Sequence, residues 1–232
     1  MEAIILAGGF GTRLRSVISA IPKPMAPIAG RPFLELLLNV LKAKGISRAI
    51  LSLGYMADVV ISYFDEHPAG IELIFEIENR PLGTGGAIAA ALRHASTDKV
   101  FVFNGDTYLD LDVRSVAAMW PGDLSPIVVG RSVPNTERFG RMEIVGDRVA
   151  SFISSGHSGE GVVNAGCYLL PSDIFLHRKL PDIFSFENDF LGPLPPLALR
   201  AYISAGRFID IGVPEDYKQA QTELAGLASA KQ

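Results

Sequence analysis

Cysteine is almost absent from this sequence of 232 residues, which contains Cys167 alone. A single cysteine excludes an internal disulfide and is typical of a protein from a reducing compartment. The residues that follow it, Tyr168 and Leu169-Leu170, are apolar. We therefore expect a buried structural thiol at this position rather than a nucleophile.

Long apolar runs are also missing, since no stretch approaches the ~20 apolar residues of a membrane-spanning helix. Met1-Glu2 offers no basic region before the first short apolar run, so no secretory signal is expected. The formal net charge is -4, whereas a nucleic-acid partner is normally matched by a basic stripe. These absences predict a cytoplasmic protein with neither a membrane nor a nucleic-acid partner.

The sequence does contain enough apolar residues for a large folded core. Hydrophobic residues make up 48% of the chain and charged residues 20%, a composition that excludes intrinsic disorder. The length suits one large α/β domain.

Short apolar runs alternate with helical patterns through the first half of the chain. The runs at 3–7, 49–53 and 100–103 predict strands of a sheet that is covered on both faces. Helical stripes lie between them, and Pro32 and Gly45 mark the start and the end of the first. This alternation predicts an α/β fold with a doubly wound, Rossmann-like, mostly parallel sheet that binds ligands at the carboxyl ends of its strands.

The second half shows strand-like runs separated by turns such as Gly146-Asp147. We predict antiparallel additions to the sheet, which would build the pocket of a second substrate. Pro214 opens a last helix, with Glu215 and Asp216 in its first turn. The predicted strands cover 127–130, 141–145, 148–153 and 162–170.

A glycine-rich turn, Gly8-Gly9-Phe10-Gly11-Thr12-Arg13, follows the first strand directly. Glycine leaves backbone N–H groups open to a phosphate, and Arg13 adds a guanidinium fork. Lys23, between Pro22 and Pro24, adds a second positive charge. The turn is neither a Walker loop, since Gly-Lys-Ser/Thr is missing, nor a dinucleotide fingerprint, since the third glycine is missing.

Two aspartates follow apolar runs in similar settings. Asp106 comes after the run 100–103 with Asn104-Gly105 between them, and Asp210 comes after Phe208-Ile209. Carboxylates at strand ends suit Mg²⁺, which favours carboxylates together with substrate phosphates. A pair that meets across one site could share the ion and hold it against a triphosphate.

Glu78 is the candidate for reading a nucleobase. It shares a strand face with Glu76 and comes just before the loop 81–84. Guanine offers two adjacent donors to a carboxylate, whereas uracil offers one donor flanked by carbonyls that a carboxylate would repel. We therefore favour GTP over other triphosphates, with a solvated strand end as the alternative interpretation of Glu78.

In this order, these motifs resemble those of the sugar-1-phosphate nucleotidyltransferases, over nearly the whole chain. The segments 185–190 and 210–217 are similar to the subgroup of guanylyltransferases that act on D-glycero-α-D-manno-heptose 1-phosphate. The family motifs are matched at 8–14, 22–25, 81–87, 104–106, 164–166 and 208–212.

The resemblance implies one nucleotidyltransferase domain over 1–232, with a nucleotide-binding half to about 124 and a sugar-phosphate-binding half from about 125. It implies that GTP and a sugar 1-phosphate give a GDP-sugar and pyrophosphate with Mg²⁺, for a surface polysaccharide. Mannose 1-phosphate as substrate, uridylyl transfer, and a non-catalytic nucleotide-binding subunit are the alternatives. We expect a monomer or a homodimer.

The resemblance also implies which residues form the site. Arg13, Lys23 and Asp106 would be catalytic, with Arg13 on the leaving phosphates and Lys23 near the α-phosphate, and Asp106 and Asp210 would hold the metal. The sugar phosphate would meet Gly140, Arg141, Asn164, Glu187 and Asp189. The nucleotide would meet Leu6, Ala7, Gly8, Gly9, Gly11, Thr12, Arg13, Lys23, Glu78, Pro81, Gly83, Thr84, Asn104 and Gly105.

One motif of the family is missing. Relatives usually carry Phe-x-Glu-Lys, in which the glutamate holds the sugar and the lysine its phosphate, where this chain has Phe152-Ile153-Ser154-Ser155. Arg138 and Arg141, on either side of Phe139-Gly140, are the candidates for a replacement cation. Weak binding of the sugar phosphate and loss of turnover are the other interpretations.

Overall fold

The computed structural model describes residues 1–9, 11, 14, 18, 21–120 and 125–229. Two short irregular turns, a 3-10 turn over Lys23–Met25 and a π-helical turn over Phe186–Leu191, accompany the regular elements. The strands are β1 (Glu2–Leu6), β2 (Pro27–Ile28), β3 (Arg31–Pro32), β4 (Arg48–Leu53), β5 (Glu72–Ile77), β6 (Lys99–Asn104), β7 (Thr107–Leu109), β8 (Ile127–Val133), β9 (Arg141–Val145), β10 (Arg148–Ile153), β11 (Gly161–Pro171), β12 (Leu199–Ser204) and β13 (Phe208–Asp210).

The helices of the described residues are short. The longest has 11 residues, and in the part of the chain that the structure describes no helix has the length and apolarity needed to cross a bilayer. The helices are α1 (Phe33–Ala43), α2 (Ala57–Glu66), α3 (Gly83–Leu92), α4 (Val113–Ala118), α5 (Pro214–Glu223) and α6 (Ala225–Ser229).

Nine strands form one central sheet in the order β5-β4-β1-β6-β11-β8-β12-β10-β9. The first four of these strands are parallel to one another. β11 runs antiparallel to both β6 and β8, and β10 runs antiparallel to β12 and β9. The predicted α/β fold with a mixed sheet is confirmed: the first half supplies parallel pairings, and the second half adds antiparallel pairings together with one parallel pairing of β12 with β8.

The sheet is buried on both faces, as β1 illustrates. Ile4 and Ile5 are both fully buried, and successive side chains of a strand point to opposite faces. Ile5 belongs to the core that includes α1, whereas Ile4 belongs to the core that includes Ile88 of α3. Burial on both faces explains why β1 is continuously apolar rather than alternating.

Several elements differ from the sequence-based expectation: the bounds of α3 do, and β12, the short helix α4 and the short strands β2, β3 and β7 were not predicted. α3 begins at Gly83, before the apolar stripe from which it was predicted. The sequence does not indicate this early start, because the first turn contains three glycines, which are poor helix formers. The segment around Phe184 packs against this turn, since the N–H of Gly85 donates to the carbonyl of Phe184 at 2.9 Å. β12 was not predicted, although it pairs in parallel with β8 over five positions from Arg200 to Ser204.

Cys167 lies in β11 and is 1% exposed, which confirms the expected buried thiol. Burial raises the pKa of this thiol well above its usual value. The sulfur is therefore held in its unreactive neutral form.

The carboxylate of Glu2 ties the start of β1 to its neighbours. It accepts hydrogen bonds from the backbone and hydroxyl groups of Ser96 and Thr97 and forms an ion pair with Arg48. Burial acts to raise the pKa of Glu2, but these hydrogen bonds outweigh it and lower the pKa to about 2.

We expect Glu2→Gln to destabilise the fold by about 2–3 kcal/mol at pH 7, because 1.36 kcal/mol corresponds to one unit of pKa difference. Thermal unfolding should show a melting temperature lower by about 4–12 °C. Since the folded-state pKa is depressed, the advantage of the wild type should be complete above pH ~4.5 and disappear as the pH falls towards 2.

Glu72→Gln is the matched control. Glu72 pairs with the same Arg48, but its side chain is 59% exposed, so its loss should cost less than about 1 kcal/mol. Equal destabilisation by the two variants would contradict the role given to Glu2.

Candidate active site

A cavity of about 300 Å³ opens at the carboxyl ends of β1, β5 and β6. Nine of its ten lining residues were predicted as nucleotide or metal ligands, the exception being Ala87. The lining consists of Leu6, Gly8, Gly9, Glu78, Pro81, Gly83, Thr84, Ala87, Asn104 and Asp106. The sequence motifs thus converge in the cleft where sheets of this kind bind ligands.

The other described residues that were predicted for the nucleotide lie around this cavity. The N–H of Ala7 donates to the carbonyl of Ser52, and the N–H of Gly105 donates to the carbonyl of Leu6. These bonds hold the backbone next to the cavity lining in place. Gly11 packs against the stem of the Lys23 side chain. Thr12 and Arg13 lie outside the described residues.

The two predicted metal ligands are brought together by a small antiparallel pair of strands. β13 pairs with β7 so that Asp210 lies opposite Thr107, the residue after Asp106. The N–H of Ile211 donates to the carbonyl of Asp106 at 2.9 Å. Two aspartates about a hundred residues apart in the chain therefore meet at one point.

Lys23 lies against this pair of carboxylates. Its ammonium group forms an ion pair with Asp106, and its side chain is only 9% exposed. Gly212 makes room for the contact, since a Cβ there would lie 2.6 Å from Asp210 Oδ1 and 2.7 Å from Lys23 Nζ. A larger residue here would require the ends of the Asp210 and Lys23 side chains to shift.

The electrostatics of this cluster favour a cation. Burial, together with the neighbouring charge of Asp106, raises the pKa of Asp210. Among the described residues no group of three or more histidine, cysteine or acidic side chains could hold a metal. A pair of carboxylates fits Mg²⁺, which keeps several ligand positions for water and substrate phosphates.

Glu78 lines the same cavity with its carboxylate held in place. Oε1 accepts from the hydroxyl of Ser52 at 3.0 Å, and Oε2 accepts from the N–H of Leu82 at 3.1 Å. A carboxylate has about four acceptor positions, so each oxygen can accept one further donor. Glu76, its expected neighbour on the strand face, instead pairs with Arg93 and His94 of the adjoining helix and turn.

Glu187 and Asn164, predicted for the sugar, lie in one hydrogen-bonded network with the nucleotide cavity. Thr84 donates to Glu187 at 2.6 Å and so joins the cavity wall to the π-helical turn. The fully buried Tyr168 donates to Glu187 at 3.1 Å and accepts from the amide of Asn164 at 2.7 Å. Burial raises the pKa of Tyr168, which keeps the phenol protonated as a donor.

The other predicted sugar-site residues lie outside this network. The exposed carboxylate of Asp189 accepts from the N–H of Ser185 at 2.7 Å. Gly140 packs against the backbone of 153–155, while Arg141 lies against Gly161 and reaches the hydroxyl of Thr136. None of the described contacts of Arg141 is with the cluster around Asp210.

Sequence reasoning missed Tyr168 and Asp216. Tyr168 lies in an apolar strand, and its only signal is that a buried tyrosine hydroxyl usually needs a partner. Asp216 was expected only as an acidic residue in the first turn of α5, yet it accepts a hydrogen bond from Arg138 at 2.5 Å.

A mixed α/β sheet with a glycine-lined cleft and a paired carboxylate cluster at its carboxyl edge defines a Rossmann-type transferase fold. A model described as nucleotidyl transferase matches residues 2–225, and the chain belongs to this family. The resemblance inferred from the motifs is thereby confirmed.

Relatives of nearly the same length are 41% identical to this chain. The D-glycero-alpha-D-manno-heptose 1-phosphate guanylyltransferase of Aneurinibacillus thermoaerophilus aligns over 97% of this chain and 98% of its own length. The enzyme of the same name from Campylobacter jejuni aligns over 94% of this chain and 97% of its own length. Among solved structures, HddC from Yersinia pseudotuberculosis is 40% identical, with a TM-score of 0.87 over 96% of this chain and 99% of its own; it has also been solved with GMP-PN.

We expect Tyr168→Phe to destabilise the protein by about 1–3 kcal/mol, because the amide of Asn164 and the carboxylate of Glu187 each lose a buried partner. The loss should appear as a lower midpoint in urea unfolding followed by circular dichroism.

Tyr202→Phe provides the control, since no hydrogen bond is made by the partly buried Tyr202 hydroxyl among the described residues. Its midpoint should stay within the error of the wild type. If both variants unfold alike, the Tyr168 hydroxyl does not hold the network.

Proposed function

We propose that this protein transfers a guanylyl group from GTP to a sugar 1-phosphate, giving a GDP-sugar and pyrophosphate. The observation that carries the proposal is the meeting of Lys23, Asp106 and Asp210 beside the cavity lined by the glycine turn and Glu78. Membership of the nucleotidyl transferase family and the 41% identical guanylyltransferases support the same reaction.

The preferred second substrate is D-glycero-α-D-manno-heptose 1-phosphate, as in the two relatives named above. The product would be a GDP-heptose that is made in the cytoplasm. Such an activated sugar is suited to the synthesis of a surface polysaccharide. Mannose 1-phosphate is the alternative acceptor.

The reaction needs two anions held in line and little covalent help from the protein. A phosphate oxygen of the sugar 1-phosphate attacks the α-phosphorus of GTP, and pyrophosphate leaves on the opposite side. Lys23 is assigned to the α-phosphate and Arg13 to the leaving phosphates, where positive charge offsets the charge that develops. The backbone of Gly8 and Gly9 would approach the phosphates from the floor of the cavity.

Asp106 and Asp210 are assigned to Mg²⁺, which when bound supplies a positive charge that neutralises the triphosphate. The ion pair between Lys23 and Asp106 would hold this carboxylate next to the cation assigned to the α-phosphate.

Glu78 is assigned to the guanine edge. Because Ser52 and Leu82 fix the orientation of its carboxylate, the two remaining acceptor positions could take the adjacent N1–H and N2–H₂ donors of guanine. A uracil in the same place would bring its carbonyls against the negative charge.

The test is to incubate the pure protein with Mg²⁺, each of GTP, ATP and UTP, and a panel of sugar 1-phosphates, and to measure pyrophosphate. We expect release with GTP and the heptose 1-phosphate, and less with mannose 1-phosphate. No release with any pair, despite measurable binding of GTP, would favour a non-catalytic nucleotide-binding subunit, for which the uncharged Ser154-Ser155 is the specific reason.

Lys23→Ala should lower kcat/KM by about 10²–10³-fold, because one preorganised cation is lost from the transition state. Arg13→Ala is expected to behave in the same way. Both variants should remain folded, as judged by circular dichroism and the melting temperature.

Lys44→Ala is the matched control for Lys23→Ala, since Lys44 also pairs with an aspartate but does so on the surface, at Asp110. Its kcat/KM should equal that of the wild type. Full activity of Lys23→Ala would remove Lys23 from the proposed mechanism.

A further inference from the structure

Arg138 is a second cation, besides Lys23, that contacts the carboxylate cluster. It lies in the connection between β8 and β9, where its guanidinium covers the ring of Phe139 at 4.3 Å. Its Nη2 donates to Asp210 at 3.3 Å and to Asp216 at 2.5 Å. Arg138 thus joins a predicted metal ligand to the first turn of α5.

A single nitrogen of the guanidinium makes both of these hydrogen bonds. Among the described residues, Nη1 and Nε of Arg138 donate to no other group. Three N–H bonds therefore stay unused, one on Nε and two on Nη1. Each of these nitrogens can donate a charge-assisted hydrogen bond to an anion such as a phosphate.

The Arg138 side chain, which carries these unused N–H bonds, borders an open cleft. Arg138 is 36% exposed, and the cleft measures about 520 Å³, within the range of small-molecule sites. Phe139 and Phe208, with ring centroids 5.7 Å apart, give the cleft an apolar wall. Asp210 lines this cleft and also belongs to the Lys23 cluster beside the nucleotide cavity.

The segment that carries Arg138 also packs directly against the uncharged Ser154-Ser155. The N–H of Gly156 donates to the carbonyl of Glu137 at 2.8 Å. Gly140 has a positive φ of 76°, and a Cβ there would lie 2.7 Å from the carbonyl oxygen of Ile153 and 3.3 Å from the N–H of Ser155. The loop that carries Arg138 is therefore a direct neighbour of the place where the Glu-Lys pair of the family motif is missing.

We infer that Arg138 binds the phosphate of the sugar 1-phosphate in this chain, in place of the missing lysine, and that Asp216 holds it in position. The inference rests on the proposed function, because it names the residue that recognises the second substrate. Asp216 fixes the guanidinium through Nη2, which leaves the N–H bonds of Nη1 and Nε for the phosphate. The phosphate then lies next to Asp210 and hence next to the cluster assigned to the α-phosphate of GTP.

Arg141, the other candidate cation, is placed for a structural role. Its side chain lies within about 3 Å of the site of a Gly161 Cβ, and its Nη2 reaches Thr136 at 3.4 Å. These contacts are with the connection between β8 and β9 and with the start of β11, and not with the cleft next to Asp210.

The test compares Arg138→Gln and Arg138→Lys with the wild type in two measurements. Initial rates of pyrophosphate release give KM for the sugar 1-phosphate at saturating GTP, and calorimetry gives Kd for the sugar 1-phosphate and for GTP. We expect Arg138→Gln to raise KM and Kd for the sugar 1-phosphate by about 10–100-fold, as for the loss of a charged hydrogen-bonded contact. Kd for GTP should change less than about twofold. Arg138→Lys keeps the positive charge but not the guanidinium group, so its KM and Kd for the sugar 1-phosphate should lie between those of the wild type and Arg138→Gln.

Two further variants separate this inference from its alternatives. Arg207→Gln removes an exposed arginine that pairs with Glu223, so KM and Kd for the sugar 1-phosphate should stay at the wild-type values. Asp216→Asn should raise KM and Kd for the sugar 1-phosphate, although by less than Arg138→Gln, because the guanidinium loses its ion pair with Asp216.

Unchanged KM and Kd for the sugar 1-phosphate in Arg138→Gln would overturn the inference and leave the proposed function intact. A loss of affinity in Arg141→Gln but not in Arg138→Gln would also overturn it. If the wild type releases no pyrophosphate with any pair, the proposed function fails, while calorimetry still decides the role of Arg138. Absence of any sugar 1-phosphate binding by the wild type would overturn both.

Discussion

The pairing of β7 with β13 is the constraint on which the candidate site depends. Only three residues take part on each strand, yet the pairing brings Asp210 to Asp106 and leaves Lys23 between them and the glycine turn. Holding two carboxylates together costs free energy, and burial adds to that cost, as the raised pKa of Asp210 indicates. The pairing of β7 with β13 holds the two carboxylates in place, and Lys23 and Arg138 pair with them. Carboxylates and cations thus lie side by side, an arrangement suited to a metal ion and a phosphate chain.

A second contact connects the two halves of the molecule. The backbone of 184–186 is hydrogen-bonded to that of 82–85 and to the hydroxyl of Thr84, which also donates to Glu187. The wall of the nucleotide cavity and the residues predicted for the sugar are therefore parts of one rigid network centred on Tyr168 and Glu187. Under the proposed function, this network would set the distance between the two substrates before either of them binds, as an in-line transfer requires.

Much of this arrangement could be predicted from the sequence, because local patterns carry it. The apolar run before Gly8 and the run before Asn104 each identify a strand and the residue that follows it, and parallel strands bring those ends to one edge. The contact of Arg138 with Asp216 could not be predicted in the same way. It joins a loop to a helix 78 positions later, and no periodicity relates the two. Tyr168 was missed for another reason, since its strand reads as wholly apolar and a hydroxyl does not disturb that pattern.

The position of β12 has a consequence for how the molecule is assembled during synthesis. This strand is made late in the chain but lies between β8 and β10 in the sheet, and β13 follows it. The growing chain can therefore complete the glycine turn and its parallel strands early. The edge formed by β9 and β10 can pair with β12 only after the residues near 200 have been synthesised. A ribosome that stopped before residue 199 would leave β8 and β10 without the strand that joins them, and Asp106 without its partner acid.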